Sequence, residues 1–99
     1  MADDPLTAPI RVVLVDDHQI VLDGLAARLR PHAELVVIVG ATTDAAAAPR
    51  LVRDIEPDVC LLDVRLRSAS GFDACSEILR VAPACKVVFL TVYDDEQYL

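Results

Sequence analysis

Hydrophobic positions alternate along the chain between two rhythms. Residues 10–15 (IRVVLV), 35–41 (LVVIVGA), 58–64 (DVCLLDV) and 86–92 (KVVFLTV) are short runs rich in β-branched residues, and each reads as a strand. Between them, apolar residues recur at helical spacing. Val21, Leu22, Leu25, Ala26 and Leu29 line one face of a first helix that Pro31 closes. Asp44 is placed to cap a second helix, with Leu51, Val52 and Ile55 facing inward and Pro57 ending it. Pro49 conflicts with a start at Ala45, because fifth in a helix it would lose a backbone bond and clash with the preceding turn; a late start near Ala48, or a kink, is expected. The almost unbroken apolar run 58–64 predicts a strand covered on both faces. RLRSAS, 65–70, reads as a loop, Gly71 opens a third helix to about Val81, and YDDEQYL, 93–99, reads as the first turns of another. Residues 1–9, with two prolines, two acids and no periodicity, are expected to be a disordered lead-in, leaving 10–99 as one domain.

Strands alternating with helices imply an α/β fold with an open parallel sheet and right-handed crossovers. Functional sites in such sheets lie beyond the carboxyl ends of the strands, at the switch in strand order. Here those ends carry Asp16 and Asp17 on the first strand, Asp63 on the third and Thr91 on the fourth. Carboxylates gathered on one patch repel each other, and a hard dication relieves that repulsion. Mg2+ prefers oxygen ligands and takes only one or two carboxylates directly, so the cluster predicts Mg2+. A carboxylate beside such an ion, with a hydroxyl nearby, has the makings of a phosphoryl acceptor. Asp63, the acid at the carboxyl end of an apolar strand, is the nucleophile candidate, Asp16 and Asp17 the pair suited to the ion, and Thr91 the donor to a phosphoryl oxygen. His18 and His32 are set aside as ligands because Mg2+ favours oxygen.

Composition narrows the function further. Sixteen acids against nine bases give a net charge of −7, which argues against nucleic-acid contact by this chain. Three cysteines, odd in number and without CxxC spacing, point to reduced core thiols in a cytoplasmic protein. No leader pattern and no membrane-spanning run is present in the sequence. Three scattered glycines make neither a P-loop nor a dinucleotide loop.

VVLVDDHQIVLDGL, PDVCLLDVRL with the later SG, and VVFLT, in that order and spacing, resemble the receiver domain of bacterial two-component response regulators, with a NarL/FixJ-like DDH opening. The resemblance runs from residue 10 to residue 99. It implies a flavodoxin/CheY-like sheet in the order 2-1-3-4. It implies phosphorylation of Asp63 by a sensor histidine kinase, with Asp16, Asp17, Asp63 and the backbone carbonyl of Arg65 around Mg2+, and Thr91 as the switch hydroxyl. Arg65 and Tyr93 occupy positions that tune the lifetime of the phosphoryl group in this family, and Arg67 stands where many members have proline. An output domain that binds DNA usually follows such a receiver, so the full-length protein is expected to be a transcription regulator.

The family's fifth strand, with its lysine, and its fifth helix are not found in these 99 residues, so the receiver is expected to be truncated. Lys86, the single lysine, begins the fourth strand and lies roughly 16 Å from its Thr91 end, too far to substitute. An open, apolar fourth strand predicts self-association along that edge. Such a chain is no conventional enzyme, catalysing at most its own phosphorylation and dephosphorylation. Two other readings are a pseudo-receiver that binds partners without phosphorylation, and a phosphohydrolase with its nucleophile on the first strand. VDDHQ departs from the D-x-D of those enzymes.

Overall fold

The computed structural model describes residues 8–64 and 71–90. Four strands, β1 (Ile10–Val15), β2 (Val36–Thr42), β3 (Val59–Asp63) and β4 (Lys86–Leu90), form one parallel sheet in the order β2-β1-β3-β4. Helices α1 (Gln19–Leu29), α2 (Ala48–Ile55) and α3 (Gly71–Val81) connect them. Fold class and strand order match the expectation from the sequence.

β1 is central because it can be buried on both faces. Val12, Val13, Leu14 and Val15 are all buried, whereas Ile10 at the open end is exposed. Successive side chains point to opposite faces, so these four residues seed two cores. Val13 and Val15 pack with Cys60, Leu62, Val52 and Ile78 beneath α2 and α3; Val12 and Leu14 pack with Leu22 of α1, flanked by Leu25, Ile38 and Leu61. The first cluster holds ten buried residues and the second three, so the sheet is more heavily covered on the α2/α3 face among the described residues. β3 therefore departs from the doubly covered strand expected: Cys60 and Leu62 are buried, but Val59 and Leu61 are only half-buried.

Both proline questions resolve through short 3-10 turns. After α1 ends at Leu29, a 3-10 turn over Arg30–His32 accommodates Pro31. Ahead of α2, Ala45–Ala47 form another, whose Ala46 N–H donates to the Asp44 carboxylate at 3.0 Å. α2 then starts at Ala48 with Pro49 in its first turn, where a missing N–H leaves no helical bond unmade. Glu56 ends α2 in the left-handed conformation (φ 55°), ahead of Pro57.

The amino end of the sheet is tied by Arg11. Its guanidinium donates to the carbonyls of Glu56 (2.7 Å) and Ile55 (3.1 Å), satisfying acceptors left over at the end of α2. The Arg11 N–H donates to Asp58 Oδ2 (2.9 Å), and the Asp58 N–H to the Arg11 carbonyl (2.9 Å). β1, α2 and the entry to β3 are joined at that end.

The three cysteines are free thiols. Cys60 and Cys85 are buried and Cys75 half-buried, in keeping with a core role. Burial, reinforced by Cys85 and Cys75, pushes the Cys60 thiol from its ordinary 9.0 up to about 12. Burial also raises the Cys85 thiol, with Asp58 adding to the effect. No helix among the described residues is long and apolar enough to cross a membrane.

Candidate functional site

Burial deepens along β1 toward its carboxyl end and continues into Asp16, which at 3% exposure is the one buried charged residue among those described. A buried carboxylate must be compensated to be tolerated. Asp16 Oδ1 accepts the backbone N–H of His18 at 2.9 Å, an Asx turn that swings the chain out of the strand and into α1. His18 is the N-cap residue of α1, where its carbonyl accepts from the N–H groups of Val21 and Leu22 but its side chain makes no capping bond. That side chain turns back to the acids instead. Its Nδ1 lies 3.1 Å from Asp16 Oδ1 and 3.0 Å from Asp17 Oδ1.

The neighbouring strand delivers the third acid. β1 and β3 pair in register up to Val15 and Leu62, so Asp63 reaches the same edge as Asp16 and Asp17. One ligand atom from each of Asp16, Asp17, His18 and Asp63 falls within 4.8 Å of all the others. The three acids named from the sequence are therefore brought together. His18, set aside there, joins them; its place directly after two strand-end acids was the signal. Thr91, Arg65 and Tyr93, like Arg67, lie outside the described residues.

Gly71 is a further contributor that the sequence presented only as a helix start. Its N–H donates to the Val64 carbonyl at 3.0 Å, and a Cβ built there would fall on the Asp63 carbonyl oxygen and lie 2.8 Å from Val64 Cα. The missing side chain lets the start of α3 press against the backbone of the acid-bearing strand.

The donor set suits a divalent ion: three carboxylates, one of them buried, supply hard oxygens, as a Mg2+ site requires. Among the described residues, one groove of about 720 Å³ lies between α2 and α3 and another of about 690 Å³ at the amino end of the sheet.

Sequence and fold comparisons agree with this architecture. Residues 12–99 match the model of the response regulator receiver domain, and the chain belongs to that family. It is 38% identical over 88 residues to the DNA-binding transcriptional activator DevR/DosR of Mycobacterium tuberculosis, covering 89% of this chain and 40% of that protein. Its fold resembles a LuxR-family two-component response regulator from Aurantimonas sp. SI85-9A1 (TM-score 0.78, 28% identity, 91% of this chain and 64% of that one). It also resembles RcsB from Salmonella enterica serovar Typhimurium, solved bound to the promoter rprA with the phosphomimetic BeF3− (TM-score 0.74, 25% identity, 89% and 73%). The chain spans about two fifths of the length of the curated relatives it matches, from 38% for DegU of Brevibacillus brevis to 42% for MctR of Rhizobium johnstonii.

Proposed function

We propose that this receiver accepts a phosphoryl group on Asp63 from a sensor histidine kinase, and that the modified edge switches the output of a DNA-binding transcription regulator. The observation that carries this reading is the convergence of Asp63 with Asp16 and Asp17 at one strand edge, within 4.8 Å. In the transfer, a carboxylate oxygen of Asp63 forms a bond to phosphorus while the bond from phosphorus to the donor breaks; the nucleophile is an ionised acid, and no base is needed to activate it. Asp16, Asp17, Asp63 and the Arg65 carbonyl would hold Mg2+, which supplies charge neutralisation when bound. Thr91 would hydrogen-bond the transferred group, and Arg65 and Tyr93 would set how readily water reaches it.

The promoter-bound, phosphomimetic state of RcsB and the DNA-binding description of DevR/DosR support a DNA output in the full-length protein. The −7 charge of this chain supports placing that contact outside it. β4 borders the sheet among the described residues, and this supports self-association of the chain along that edge. Sedimentation at increasing concentration tests it: a monodisperse monomer throughout would refute it.

A small acyl phosphate supplied with Mg2+ tests the phosphoacceptor. Wild type is expected to take up label that Asp63→Asn does not. Equal labelling of both would remove Asp63 from the role. No labelling of wild type despite Mg2+ binding would favour the phosphorylation-independent interaction module.

A further inference from the structure

We propose that the groove between α2 and α3 receives α3 of a second copy of this chain, laid antiparallel, in a two-fold contact separate from the β4 edge. Among the described residues the groove of about 720 Å³ is lined by both helices and by the 3-10 turn before α2, and by nothing from β4. Ala45, Ala74, Pro49 and Val81 give it small, apolar, buried or half-buried surfaces, and its rim is charged. Small side chains let the ridge of another helix come close.

What selects the occupant is the order of the charges. α2 and α3 each return the chain to the start of the next parallel strand, so they run in the same direction. From the carboxyl end of the sheet to the amino end, the α2 wall reads Asp44, Arg50, Arg53 and the α3 wall reads Asp73, Glu77, Arg80. Both walls are acidic at one end and basic at the other, but the middle position is a base on α2 and an acid on α3. An α3 turned end for end beside α2 therefore meets its opposite at every position: Asp73 at Arg53, Glu77 at Arg50 and Arg80 at Asp44. A parallel copy instead sets acid against acid and base against base at both ends. Spacing agrees as well as sign. At 1.5 Å per residue, Arg50 and Arg53 stand about 4.5 Å apart along the axis and Asp73 and Glu77 about 6 Å, a difference shorter than an arginine side chain.

The contact is isologous, so each pairing is made twice and α3 of the first copy enters the groove of the second. Ser76, on the outward side of α3 between Asp73 and Glu77, donates its hydroxyl to the Phe72 carbonyl at 3.2 Å, so the crest of the incoming helix is small and its donor is already satisfied. Existing ion pairs resist little. Arg80 holds Glu77 at 2.9 Å and Arg53 holds Asp54 at 3.2 Å, but all four side chains are more than half exposed, and exposed pairs exchange at small cost.

The test is sedimentation equilibrium of the chain up to about 1 mM, since a small polar contact is a weak one. Association of wild type is expected to weaken as salt rises toward about 1 M, where the screening length falls to about 3 Å. Arg50→Glu and Glu77→Arg, each alone, are expected to weaken it at least about tenfold by setting like charges together. Mixed in equal amounts they are expected to associate close to the wild-type level, because the mixed dimer pairs opposite charges at both copies of the contact. Should either variant fail to fold, Arg53→Glu with Asp73→Arg forms a second reciprocal set. A mixture no stronger than its components, or wild-type strength in both single variants, would overturn the proposal and leave association to another face such as the β4 edge. A monomer at every concentration would overturn it as well, and leave the groove to a helix of another protein.

Discussion

At the amino end of the sheet Arg11 and Asp58 spend their polar groups on the backbone, joining β1 to the end of α2 and to the start of β3. At the carboxyl end, Asp16, Asp17 and Asp63 are gathered with an imidazole as their close neighbour, and a glycine admits α3 against the strand. One end uses charge to satisfy leftover main-chain acceptors; the other concentrates charge of one sign where a cation and a phosphoryl group could meet it. The difference separates residues that tie the main chain together from residues whose carboxylates are gathered in one place. Such sites commonly trade stability for function.

The largest test of that contrast falls on Gly71. Gly71→Val is expected to lower the free energy of unfolding by about 3 kcal/mol, measured by urea denaturation, since a side chain there collides with main chain that cannot yield as a flexible group would. Next comes the response to Mg2+. At a hundredfold excess over Kd, the ion should stabilise wild type by about 2.7 kcal/mol, and Asp17→Asn should abolish most of that gain. Arg11→Ala is expected to remove about 1–2 kcal/mol through lost bonds to the Ile55 and Glu56 carbonyls while leaving the Mg2+ increment intact. A diminished increment would mean that the two ends are coupled. The effect that is smallest at neutral pH, where it vanishes, falls on Cys60. Because Cys60 is raised from 9.0 to about 12 in the fold, the folded state keeps its proton longer than the unfolded chain does. Its contribution is therefore complete below about pH 9 and is lost as pH rises toward 12. Cys60→Ala should flatten that alkaline decline in a series of thermal melts.

The strands, the late start of α2 and the meeting of three acids were legible because each follows from a local rule: β-branched runs, proline chemistry, and the rule that parallel strands present their carboxyl ends together. What stayed hidden depended on placement in space rather than on a pattern in the sequence. His18 was set aside because Mg2+ favours oxygen, although its place after two strand-end acids allowed the Asx turn that directs its ring back to them. Gly71 looked like a helix start, yet its necessity comes from the Asp63 and Val64 backbone. The half-covered side of β3 was missed because an apolar run records the capacity for burial, whereas the number of helices laid on each face decides how much of it is used.

β1 has a strand on either side, and its last four residues are closed to water on both faces. Amides in such a strand are the last to exchange with deuterium, opening only when the whole domain does. Asp16 and Asp17 follow it without an intervening residue. An ion held there would be coupled to the slowest motion of the molecule, so its arrival and departure would be registered in the protection of the entire sheet rather than in the breathing of a loop.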